Sequence, residues 1–241
     1  MSDRSVLVKI CGVRTLEAAQ AAVDAGADLL GFICYPPARR YLPPEQIAAI
    51  LESLRHRSSV RAVGVFVNQP LEAMNTVAVA CGLDLIQLSG GEEDDVLPLL
   101  NRPVMKVWRL AGRGQGGHGG PPLPVPSVTI AASSPPPGLG EGLGRRPAVR
   151  TNLFATLLEP AAAGWGGAGR SWDWSAARSI TDLPSRPPVF LAGGLDPENI
   201  AGAIAAVRPD GVDVSSGVEV EGVQVGARIA AFVAAAKGAT A

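Results

Sequence analysis

Cysteine is scarce in this chain, and its few copies have no pattern. Cys11, Cys34 and Cys81 are the only three in 241 residues, and their spacing is neither paired nor of metal-ligand type. An odd, sparse set fits a reducing cytoplasm better than a disulfide framework. Charge of one sign is also missing. The formal net charge is −1 and no basic face is visible, which argues against nucleic acid as a partner. No stretch approaches the ~20 apolar residues of a membrane span, and the N-terminus lacks an apolar run of signal length. No membrane partner is expected. No metal is expected either, because no cluster of ligating side chains or paired carboxylates stands out.

What is present is enough apolar material for a sizeable core, with hydrophobic residues at 47%. The length suits one large α/β domain spanning 1–241, since barrels of roughly 200–250 residues fold as single units. Strand-like runs alternate with helical ones. Val6–Cys11 precedes a helix over Leu16–Ala25, capped by Thr15. Asp28–Cys34 precedes a helix over Pro44–Arg55, and Val60–Val67 precedes Leu71–Cys81. Asp84–Leu88 leads to a short acidic helix near Glu92–Leu100. Val104–Trp108, Leu153–Glu159, Val189–Leu191 and Val212–Val214 complete the strands, and helices Pro197–Val207 and Val225–Ala236 follow the last two. The strands are apolar throughout instead of alternating, as parallel strands covered on their outer face are. The pattern predicts a closed (β/α)8 TIM barrel.

One segment breaks it. Residues 111–150 are dense in glycine and proline, as in Gly116-Gly117-His118-Gly119-Gly120-Pro121-Pro122 and Pro135-Pro136-Pro137. Neither residue favours a helix. The helix 5 region is expected to be irregular or missing, an insert or loop with at most a short strand at Ser127–Ala131.

Cys11 ends the first strand at a glycine turn, just before a helix. That is where α/β enzymes place their chemistry. By position alone, Cys11 is either such a group or a small buried hydrophobe, as many free cysteines are.

Taken in order, several segments decide between these readings. They are KICG (Lys9–Gly12), GAD (Gly26–Asp28), GFICYPPARRY (Gly31–Tyr41), FVN (Phe66–Asn68) and IQLSG (Ile86–Gly90). GGAGRSWDW (Gly166–Trp174), LAGGLDPENI (Leu191–Ile200) and DVSSGVE (Asp213–Glu219) follow. Together they resemble the phosphoribosylanthranilate isomerase family of tryptophan biosynthesis, over nearly the whole chain except 111–150. The resemblance implies a cofactor-free barrel catalysing an Amadori rearrangement of a small phosphosugar, as a monomer or homodimer. It implies a cysteine general base, matched by Cys11, and an aspartate general acid at the end of strand 6.

The acid position departs from the pattern. The chain reads Leu157-Leu158-Glu159-Pro160, so Glu159 is the candidate acid. Its extra methylene moves the carboxyl by ~1.5 Å on an unchanged backbone, and misplacements of ~1 Å can cost ~100-fold in rate. Asp173 is the alternative, although an N-cap role suits it better. A second departure is Gln87-Leu88-Ser89-Gly90, with serine where the family has histidine. Neither His56, read as a solvated cation at the end of helix 2, nor His118 replaces it.

The resemblance places Arg40 against the anthranilate carboxylate, with adjacent Arg39 as the alternative; a guanidinium fork suits that group. The glycine-bearing turns Gly193-Gly194 and Ser215-Ser216-Gly217 follow strands 7 and 8, the usual phosphate loops of such barrels. Asp213 would orient the second loop or touch substrate. Lys9 shares a strand face with Cys11 but lies deeper, and is not expected to help directly. Cys34 and Cys81 read as buried filler. The departures leave a second reading open, a non-catalytic or weakly active phosphosugar-binding barrel.

Overall fold

The computed structural model describes residues 5–110, 152–160 and 174–239. Eight parallel strands close into a barrel in sequence order. They are β1 (Leu7–Cys11), β2 (Leu29–Ile33), β3 (Arg61–Phe66), β4 (Leu85–Leu88), β5 (Val104–Leu110), β6 (Leu153–Pro160), β7 (Val189–Leu191) and β8 (Gly211–Val214). Closure joins β1 to β8 with Lys9 opposite Asp213. The strand edges thereby vanish.

Two apolar layers result. Outward residues such as Val8, Ile10, Phe32 and Val212 pack under the helices. Inward residues Leu29, Val63, Leu85, Met105, Val107, Ala155, Leu157 and Phe190 fill the barrel. Side chains on a strand alternate with period two. Extending each inward series to the C-terminal end of its strand reaches Cys11, Ser89, Arg109, Glu159 and Asp213. The barrel floor is apolar and its mouth is polar, so the chemistry is confined to one end.

The helices follow the expected order. Helix α1 spans Leu16–Asp24, and the Thr15 hydroxyl accepts from the Ala18 N–H as anticipated. Helix α2 (Pro44–Ser53) stops short of Arg55 because Leu54 turns extended. Helix α3 spans Leu71–Ala80. The acidic segment forms a tight 3-10 turn over Asp94–Leu99, not an α-helix, with Pro98 inside it; proline removes a donor that an α-helix would use. Helix α4 spans Ser175–Thr181. Helix α5 starts at Ile200 and ends at Val207, later than Pro197, because the Asp196 carboxylate takes the N–H groups of Glu198 and Asn199. Helix α6 runs Gly226–Gly238. A short antiparallel pair, β9 (Glu219–Val220) and β10 (Val223–Gln224), was not legible as strand pattern.

His56 does not cap helix 2. It adopts a left-handed conformation before a 3-10 turn over Arg57–Ser59. Strand β5 extends beyond Trp108 to Leu110. No described helix is long and apolar enough to cross a membrane. The expectations for 111–150, His118 and Asp173 lie outside the described residues.

Candidate active site

Three inward groups from β1 and β8 form the first half of the site. Lys9 is wholly buried, and its ammonium donates to Asp213 Oδ1 at 2.7 Å. The sequence reading of Lys9 needs correction. Its Cα lies deeper than that of Cys11, but its long stem carries the ammonium up to the thiol. A Cβ added at Gly31, on the neighbouring strand, would lie 2.8 Å from Cys11 Sγ and 3.0 Å from Lys9 Nζ. The absence of a side chain at Gly31 leaves room for both groups.

Burial alone would favour a neutral amine at Lys9. The Asp213 carboxylate outweighs it, aided by Cys11, and holds the ammonium charged well above the usual lysine range. Burial pushes the Cys11 thiol up, and Asp213 adds to the rise; Lys9 and Arg40 pull it back without reversing it. Cys11 therefore keeps its proton at neutral pH and has a cation beside it that favours the thiolate when the proton leaves. Asp213 serves Lys9 in this structure, and from the inner face of β8 it remains placed for the role expected of it, orienting the second loop or touching substrate.

The second half comes from β4, β5 and β6. Glu159 projects inward at the tip of β6, 15% exposed, and pairs with Arg109 Nη2 through Oε1 at 2.9 Å. The two residues are register partners across β5 and β6. Arg109 also donates to the Ser89 backbone carbonyl at 2.8 Å. The Ser89 hydroxyl is engaged by Gln87 Nε2 at 3.0 Å. Burial pushes the Glu159 carboxyl up, Arg109 pulls it down, Asp213 adds to the rise and Lys9 opposes it. The net result lies above the ordinary glutamate value, the direction a general acid needs.

Above these groups, Arg40 and Arg39 converge on Glu219, a residue that the sequence reading did not single out. Arg40 grips it as a fork, Nε to Oε1 at 2.6 Å and Nη2 to Oε2 at 3.0 Å. Arg39 reaches Oε2 at 2.9 Å from a more exposed position. Burial would push the Glu219 carboxyl up, but the two guanidinium groups hold it below its usual range. Glu219 thus ties the loop after β2 to the loop after β8. Its only sequence signal was its place in DVSSGVE.

The loops after β7 and β8 complete the mouth. Gly193 and Gly194 both take positive φ, 90° and 67°, a conformation that β-carbon-bearing residues rarely adopt. The Gly194 carbonyl is held by Asn199 Nδ2 at 2.8 Å. Among the described residues, neither Gly194 nor Ser216 spends its N–H on a backbone hydrogen bond. Gly217 packs so tightly on the first loop that an added Cβ would lie 1.9 Å from the Leu195 carbonyl oxygen. The two loops therefore form one wall.

Cys34 and Cys81 are buried away from this mouth, with thiols directed at the Phe32 and Pro44 carbonyls. Burial pushes the Cys34 thiol up to about 12, consistent with inert filler. Among the described residues, no group of three or more His, Cys, Asp or Glu side chains is placed to hold a metal ion.

Known proteins resemble this chain in sequence and fold. The family model described as N-(5'-phosphoribosyl)anthranilate (PRA) isomerase matches residues 8–113 and 146–235. The N-(5'-phosphoribosyl)anthranilate isomerase of Symbiobacterium thermophilum is 38% identical, covering 96% of this chain and 98% of the relative. That of Roseiflexus castenholzii is 39% identical over 97% and 99%. The crystal structure of phosphoribosyl anthranilate isomerase from Thermotoga maritima superposes with a TM-score of 0.74 at 32% identity, covering 97% of this chain and 99% of that one. A further structure of such an enzyme holds reduced 1-(o-carboxyphenylamino)-1-deoxyribulose 5-phosphate and aligns at a TM-score of 0.70 and 30% identity, over 97% and 99% of the two chains. The barrel, its polar mouth and these likenesses agree: the chain belongs to the N-(5'-phosphoribosyl)anthranilate isomerase family.

Proposed function

We propose that this chain converts N-(5-phosphoribosyl)anthranilate to 1-(2-carboxyphenylamino)-1-deoxyribulose 5-phosphate, with Cys11 as general base and Glu159 as general acid. One observation carries the reading. Cys11 and Glu159 project from the inner face at the same end of the barrel, beneath the glycine-bearing loops after β7 and β8. A relative in the family has been solved with a reduced form of this product.

The Glu159 proton goes to the furanose ring oxygen. The C1′–O bond breaks, and the nitrogen lone pair forms the Schiff base. Cys11 thiolate then takes the C2′ proton, and the electron pair moves into the enolamine. The C2′ enol O–H gives its proton to the Glu159 carboxylate and C1′ takes one from the Cys11 thiol, so tautomerisation to the ketone returns the chain to its starting protonation state and no oxidant or reductant is consumed. Thiolate with carboxylic acid carries the same total charge as thiol with carboxylate. One proton moved between the two groups therefore reaches the reactive state, and Lys9 favours the thiolate side. Arg40 would meet the anthranilate carboxylate through Nη1, since Glu219 occupies its Nε and Nη2.

The phosphate would take the N–H groups of Gly194 and Ser216. Sulfate or phosphate soaked into crystals is expected to bind between these loops. Density only at another face of the barrel would refute the assignment.

The Arg109–Glu159 ion pair favours a second reading, in which the carboxyl stays ionised and the barrel binds a phosphosugar without turning it over. Freshly prepared phosphoribosylanthranilate separates the two. Enzymatic loss of its fluorescence supports the isomerase; binding without turnover supports the second reading.

A further inference from the structure

We infer that Arg109 is the positioning residue for Glu159, anchoring this chain's longer acid to the backbone at the tip of β4. The inference rests on the reading of Glu159 as the general acid. The two departures from the family pattern, Ser89 on β4 and Glu159 on β6, are both neighbours of one guanidinium on the strand between them. Arg109 faces inward by the alternation Met105, Val107, Arg109, and its register partner is Glu159. One nitrogen, Nη2, contacts both the Ser89 carbonyl and Glu159 Oε1. The Ser89 side chain is turned aside to Gln87.

Glutamate has one more rotatable bond than aspartate, so its carboxyl is less confined by its own backbone. A planar, always-charged guanidinium supplies the missing constraint. Its charge stands 2.9 Å from Glu159 Oε1 while the same nitrogen is bonded to the Ser89 carbonyl. A mispositioned acid loses rate without losing substrate affinity.

Among the described residues, the charged groups that act on Glu159 are Arg109 from β5, Asp213 from β8 and Lys9 from β1. Arg109 opposes the effect of burial. Without it the carboxyl moves further up. The doubly protonated site is inactive, and on raising the pH the first proton leaves Glu159. The acidic limb of the kcat/KM profile therefore follows Glu159 and shifts to higher pH when Arg109 is neutralised.

The test compares R109M, R109Q, R109K, E159Q and R109M/E159Q by kcat, KM and pH profile. R109M is expected to lower kcat by ~10–100-fold with little change in KM, by the cost of ~1 Å misplacement, and to move the acidic limb upward. R109K, a point charge without the fork, is expected to restore the limb and part of kcat. On an E159Q background, R109M is expected to cost nothing further. If R109M does not fold, R109Q carries the same expectations. Wild-type kcat and pH profile in R109M or R109Q, with E159Q inactive, would overturn the inference alone. So would a full additional loss in the double variant, which would make Arg109 a direct substrate contact. Wild-type turnover in E159Q would instead overturn the reading of Glu159.

Discussion

Replacing Cys11 by alanine is expected to lower kcat by ~10²–10⁴-fold while leaving ligand affinity almost intact. The variant removes one sulfur from a packed position at the tip of β1 and, with it, the thiol's contact with Lys9. Lys9 keeps its ion pair with Asp213, so no buried charge is orphaned and the fold should survive. What disappears is the group that takes the C2′ proton. Neither neighbour replaces it: the Lys9 ammonium is held charged far above neutral pH, and Asp213 is committed to Lys9. The check is kcat from the fluorescence decay, alongside affinity for a reduced product analogue. Turnover near wild type would sink the assignment.

Glu159→Gln comes next in size. Amide and carboxyl have nearly the same shape, but the amide has no proton of useful acidity, so turnover is expected to fall by ~10²-fold or more. Glu159→Asp is the more informative change. It restores the family's residue, and the barrel around it follows the family's geometry closely enough for a TM-score of 0.74 to one member. The aspartate variant is expected to preserve turnover or raise it, and in any case to stay far above the glutamine variant. Its carboxyl is drawn back by ~1.5 Å, one bond length, and meets Arg109 less well. Its acidic limb should therefore depend less on Arg109 than that of the parent. Equal rates for Glu159→Gln and the parent would place the acid elsewhere and favour the binding-barrel reading.

Much of the molecule was legible residue by residue. Unbroken apolar runs marked β1 to β8, and Thr15 marked the start of α1, because strand burial and capping depend on a few neighbouring residues. The position of Cys11 at a strand tip and the glycine turn at 193 and 194 were readable for the same reason. The pairings that give the site its electrostatics were not. Lys9 and Asp213 are 204 residues apart and meet because the barrel closes β1 onto β8. Arg40 and Glu219 are 179 apart and meet because their loops flank that same seam. Arg109 was missed because the apolar run stops at Trp108, whereas the backbone pairing continues through Arg109 opposite Glu159. Local pattern tells which face of a strand a residue occupies. Which charge stands across from it is set by closure and register, and those belong to the whole chain.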